Sequence, residues 1–62
     1  MIVNIKLKEK REKSALTQME IAEKANISLM SYQRYETGKR VPNVETAKLI
    51  AKILNSTVEE LF

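Results

Sequence analysis

The 62-residue chain contains no cysteine, no histidine and no tryptophan, and has one glycine and one proline. Each absence removes a class of explanation. Without cysteine there is no disulfide and no thiolate, and without histidine as well the usual zinc ligand sets are missing. Histidine is also the commonest proton carrier near neutral pH, and no pair of the remaining residues offers a nucleophile with its base. We therefore expect a protein that is not an enzyme and needs no metal and no cofactor, with no small-molecule substrate evident. Long apolar runs are lacking too. None approaches the roughly 18 residues needed to cross a bilayer, and the N-terminus has no signal-like apolar region. The expectation is a cytoplasmic protein with no membrane partner.

What is present is charge, and it is unevenly placed. The net charge of +3 is too small to identify a partner by itself. Residues 1–13, however, carry five bases and two acids, and residues 28–40 carry three bases and one acid. The intervening and following segments are slightly acidic. A chain this short forms one domain, 1–62, which at that size buries only about 60% of the surface its unfolded form exposes.

With so little glycine and proline, the punctuation falls to capping residues. Asn4 is placed to cap a first helix through about Lys13, with Ile5, Leu7 and the stem of Arg11 on its inward side. Thr17 with Glu20 forms a capping box, and Leu16 with Ile21 the hydrophobic staple that accompanies it. Ser28 caps a third helix that runs to Glu36 before Gly38 stops it. Asn43, after Pro42, caps a fourth to about Leu54, and Thr57 with Glu60 opens a last short helix. Val44, Ala47, Ile50, Ala51 and Leu54 follow the spacing of a buried stripe, as do Ile21, Ala22 and Ala25. Only Val3, Ile5 and Leu7 alternate, as an edge strand would. The expected class is all-α, a compact bundle of four to five short helices.

Residues 17–37 read as two helices joined by a three-residue turn, a helix-turn-helix. Ala22 falls where steeply crossing helices come closest. Asn26 occupies the turn position that needs a left-handed backbone, for which asparagine is the next best residue after glycine. Ile21, Ile27, Tyr32 and Tyr35 then point into the angle between the helices. The stretches LTQMEIAEKANIS, YETGKRVPNVETAKLIAKIL and STVEELF resemble the Cro/cI-type repressors of phages and bacteria, the XRE family. Thr17-Gln18, Ile21-Ala22, Ile27-Ser28, Glu36, Gly38, Pro42 and Leu61 all fall at family spacing. The departures are Ala15 and Asn26, where the family usually has glycine, and Met19, Leu29 and Met30, where polar residues are usual.

The resemblance implies a lambda-repressor-like DNA-binding domain whose third helix lies in the major groove of a double-stranded operator, regulating transcription, with repression the expected direction. It further implies a buried ion pair between Arg11 and Glu36, and base contacts from the positions held by Leu29, Met30 and Arg34. Ser28, Leu29, Met30, Gln33, Arg34 and Thr37 form one outward face. Arg34 can pair with guanine O6 and N7, Gln33 and Ser28 can bond to base or phosphate, and Leu29 and Met30 can offer only apolar contact, which suits thymine methyl groups. Gln18, Thr37, Lys39, Arg40 and Asn43 are the candidates for the DNA backbone. The alternative function is a protein-interaction module using the Met19, Leu29 and Met30 patch. Finally, Leu49, Ile53, Leu61 and Phe62 are apolar residues beyond the main stripe, and we expect them to support a homodimer.

Overall fold

The computed structural model describes residues 4–62 and contains five helices. They are α1 (Ile5–Lys13), α2 (Gln18–Lys24), α3 (Leu29–Glu36), α4 (Val44–Ile53) and α5 (Val58–Leu61). Every helix begins where a short polar side chain can accept a hydrogen bond from an otherwise unpaired N–H. Asn4, Thr17, Ser28, Asn43 and Thr57 each accept from the backbone N–H three residues on. The Thr17 box is complete, since the Glu20 carboxylate also accepts from Thr17 N–H at 2.9 Å. The Thr57 box is only half made. There Glu60 turns its carboxylate to the Ser56 hydroxyl instead, at 2.9 Å.

The four corners share one solution. After α1, α2, α3 and α4 the chain passes through a residue with positive φ: Ala15, Asn26, Gly38 and Asn55 in turn. At each corner that residue and the next donate back into the last turn, Ala15 to Glu12 and Leu16 to Arg11, then Asn26 to Glu23 and Ile27 to Ala22. Gly38 to Tyr35 and Lys39 to Arg34, then Asn55 to Lys52 and Ser56 to Ala51, repeat the pattern. These are Schellman motifs, which satisfy the last free carbonyls of a helix while reversing the chain. Only one of the four uses glycine.

Leu7, Ile21, Ala22, Ala25, Tyr32, Tyr35, Ile50, Ala51, Leu54 and Leu61 form the buried core, with Leu16, Ile27, Ile53 and Val58 packed against it. Tyr32 and Tyr35 meet edge to face, ring centroids 6.5 Å apart. α2 packs chiefly on α3, and the buried Ala22 permits the approach. Asn4 ties the bundle across its ends. Its backbone N–H donates to Glu36 O at 2.9 Å and its side-chain amide to Leu61 O at 2.6 Å.

Three sequence expectations need correction. Ile5 and Val44, expected to face inward, are 61% and 68% exposed. Each is the first residue of its helix, where the Cα–Cβ bond tilts toward the N-terminus and off the end of the packed face. The alternation of Ile5 and Leu7 makes no edge strand, because both lie in the helix expected after Asn4; Val3 lies outside the described residues. Among the described residues no helix is long and apolar enough to cross a membrane.

Candidate nucleic-acid interface

The outward face of α3 is built from its buried end. Glu36 closes the helix and is itself buried. Arg11 Nε donates to its Oε2 at 2.6 Å and Nη2 to its Oε1 at 3.4 Å. A third guanidinium nitrogen, Nη1, donates to Leu16 O at 3.0 Å, so the same side chain also fixes the corner leading into α2. The pairing implied by the family resemblance is therefore present. Burial pushes the Glu36 carboxyl upward, but the Arg11 guanidinium, the adjacent Tyr32 hydroxyl and the Gln18 amide together more than reverse this and hold it below its ordinary value. Tyr32 answers in kind: burial first, and then the carboxylate beside it, raise its hydroxyl far above the usual phenol range. That hydroxyl is buried and sits beside Glu36 without reaching hydrogen-bond geometry to any described residue.

Outside this pair lies a shallow hollow lined by Gln18, Met30, Gln33, Arg34, Thr37 and Lys39. Six side chains proposed from sequence as DNA contacts thus share one concavity, between the start of α2, the outward side of α3 and the corner after it. Met30 stands 61% exposed beside it. Gln33, Arg34 and Lys39 are also exposed, whereas Gln18 and Leu29 are only partly so. Gln18 and Gln33 are less free than the sequence suggested. The Gln18 amide nitrogen donates to Glu36 Oε1 at 3.0 Å and its oxygen accepts from Gln33 Nε2 at 3.3 Å. The Thr37 hydroxyl is turned back onto its own helix, to Gln33 O at 3.0 Å.

The remaining candidates sit elsewhere. Ser28 caps α3 and donates its hydroxyl to Ser31 Oγ at 2.9 Å, so it presents little hydrogen-bonding capacity outward. Ser31 is a further partner, and its signal in the sequence is a serine at the cap-plus-three position. Asn43 Oδ1 is committed to capping α4, leaving its amide nitrogen outward. Arg40 lines a different hollow, together with Ile5, Lys6, Val41, Glu59 and Phe62. Met19 is exposed on α2.

The four dimer candidates also divide. Leu61 is 3% exposed and belongs to the core, and Ile53 packs against it, so neither is spare apolar surface. Both were misplaced because helical spacing gives a face without saying what covers it. Leu49 and Phe62 remain exposed. Among the described residues no cluster of carboxylates could hold a metal ion.

Comparison with known proteins agrees with this geometry. The helix-turn-helix family profile matches residues 7–61. The chain is 38% identical over 61 residues to the HTH-type transcriptional activator BcrR of Enterococcus faecalis, covering 98% of this chain and 30% of that protein. It is 34% identical over 61 residues to the cryptic phage CTXphi transcriptional repressor RstR of Vibrio cholerae serotype O1, covering 98% of this chain and 54% of that protein. The chain therefore spans between about a third and a half of these relatives' lengths.

Proposed function

We propose that this chain, which belongs to the helix-turn-helix family, binds double-stranded DNA sequence-specifically through α3 and thereby regulates transcription. The observation that carries this reading is the single hollow shared by Gln18, Met30, Gln33, Arg34, Thr37 and Lys39, on α2, α3 and the corner after α3. Arg34 supplies a fork matched to guanine. Met30, with Leu29 before it, supplies apolar contact for thymine methyls. Lys39, with the second N–H of Gln18, meets phosphate. Arg40 and Asn43 extend the backbone contact on the far side of the corner. One of the relatives is named an activator and the other a repressor. Repression asks only that the operator be occupied, which a DNA-binding surface can do by itself, whereas activation asks for a further contact.

A homodimer on a palindromic operator belongs to the same proposal. The domain measures 25 × 22 × 21 Å between Cα atoms, and side chains add about 3 Å at each side. Two copies on successive major grooves, about 34 Å apart, would therefore nearly touch. Phe62, Val41 and Ile5 offer the apolar surface, in a hollow whose lining also includes Lys6, Glu59 and Glu60. Cytoplasmic residence follows from the proposed partner.

Selection from random duplex DNA tests the reading. The expected outcome is an enriched motif containing thymine steps and a fixed guanine, with affinity falling steeply as salt is raised from about 50 to about 200 mM. Absence of any enriched motif, with salt-insensitive capture of a protein through Met19, Leu29 and Met30, would replace it by the interaction-module reading. Sedimentation as a monomer at high concentration with one-to-one binding to a full palindrome would remove the dimer alone.

A further inference from the structure

Glu36, Gln18 and Gln33 form an ordered chain that begins at the buried ion pair and ends on the surface. The order fixes every donor along it. An ionised carboxylate has no hydrogen to give, so Gln18 must turn its nitrogen toward Glu36, where the separation is 3.0 Å. Rotating that amide by half a turn would set its oxygen against a carboxylate oxygen. The Gln18 oxygen is therefore directed outward to Gln33, and Gln33 must approach it with its own nitrogen, at 3.3 Å. What Gln33 retains is one N–H and its carbonyl oxygen.

We infer that Gln18, anchored on Glu36, holds Gln33 as a reader of adenine. The inference rests on the DNA-binding reading above and deepens it. Adenine offers an acceptor, N7, beside a donor, the N6 amine, along its major-groove edge. One N–H and one carbonyl oxygen match that pair. Guanine offers two acceptors, N7 and O6. An untethered glutamine could turn both N–H groups to guanine, but Gln33 has already given one to Gln18, and its oxygen would face an acceptor. The tether thus converts an amide of broad capacity into a selective one. Gln33 lines the same hollow as Arg34 and Met30, so its adenine lies close to the guanine that Arg34 pairs with. Gln33 is the contacting residue, and Gln18 and Glu36 act through it as positioning residues.

Selection from random duplex DNA, run in parallel on the wild type, Gln18→Met and Gln33→Glu, tests this, with thermal melting of each variant as a check on folding. Gln18→Met keeps the length of the side chain and removes the tether. Gln33→Glu alters only an exposed residue and presents acceptors alone. The wild type is expected to favour adenine over guanine at one position by about tenfold, the order of a good bidentate pair. Gln18→Met should reduce that ratio to about threefold or less and leave the other positions unchanged. Gln33→Glu should move the preference toward cytosine, whose N4 amine is a donor. If Gln33→Glu leaves every position as it was, Gln33 reads no base and the inference fails. Should Gln18→Met instead weaken all sequences alike and leave the adenine-to-guanine ratio as in the wild type, Gln18 is a phosphate contact only and the tether is wrong. Failure of the wild type to enrich any motif would overturn the DNA-binding reading itself, and the tether with it.

Discussion

The two ends of α3 are held in different ways. At the C-terminal end Glu36 is locked by Arg11 and Gln18, and Gln33 is tied in turn to Gln18. At the N-terminal end Ser28 spends its hydroxyl on its own cap, and the neighbouring Leu29 and Met30 have no polar group to fasten. The contrast matches what each end would contact. A hydrogen bond to a base edge depends on direction, and direction has to be fixed beforehand. Contact with a methyl group does not, and a methionine that adjusts its three torsions can make it without a preset rotamer. On the proposed reading, one helix would combine a rigid polar reader with an adaptable apolar one.

The largest effect should come from releasing the rigid end. Arg11→Ala leaves a buried carboxylate without its cation, for which the usual cost is about 3–5 kcal/mol. Partial exposure of Arg11, at 13% for its side chain, places the expectation near the lower figure. Chemical denaturation measures it. A loss below about 1 kcal/mol, the range of an exposed pair, would show that the pair does not orient the helix.

The same carboxylate gives a pH dependence of definite sign. Its folded pKa lies below the ordinary glutamate value of 4.5, so its contribution to stability is complete above that value and is lost as the pH falls through the folded one. Glu36→Gln should be less stable than wild type at neutral pH and should lose less on going from about pH 5 to about pH 3. A residual acid slope is expected from Glu20, whose pKa is lowered by the Thr17 backbone N–H and hydroxyl. Parallel acid titrations of the two proteins would contradict the assignment.

Next in size are two charge deletions that separate reading from anchoring. Arg34→Ala should cost about 1–3 kcal/mol on the best duplex and relax preference at one guanine. Lys39→Ala should weaken binding to every duplex alike and reduce the salt slope by about one phosphate. Identical profiles across a panel of duplexes would erase the distinction.

The smallest expected effect lies at a corner. Ala15 sits at φ 56°, where a Cβ costs about 1–2 kcal/mol, partly offset by the greater freedom glycine has in the unfolded chain. Ala15→Gly should therefore gain about 0.5–1 kcal/mol in a thermal melt, with DNA affinity unchanged. No change in stability would mean the corner relaxes around the alanine.

Capping made the helix starts legible, because a cap is a bond between a side chain and a backbone group three residues away. Asn4, Thr17, Ser28, Asn43 and Thr57 could all be read one at a time, and so could the glycine after α3. Asn55 carries the same signal after α4. What could not be read locally was what each apolar residue faces. Leu61 and Val44 look equally apolar in sequence, yet one is core and the other surface, since the outcome depends on the neighbouring helix. The outward face of α3 was legible as a face, and the Arg11–Glu36 pair through family resemblance. The bonds from Gln18 to Glu36 and Gln33, which span 18 and 15 residues, were not, because nothing in local spacing brings those amides together.

The four Schellman corners have a consequence for how such a domain would meet a duplex. Each closes its helix with two backbone hydrogen bonds, and three of the four place alanine or asparagine at the reversal rather than glycine, which restricts the backbone there. Such corners hold the described helices together as one body. Any misfit between two such bodies and a palindromic site would have to be taken up by the DNA, through its bend, twist and groove width. Base pairs between the half-sites that no side chain touches would then be chosen by their stiffness, and exchanging flexible steps for rigid ones there would alter affinity with every protein contact intact.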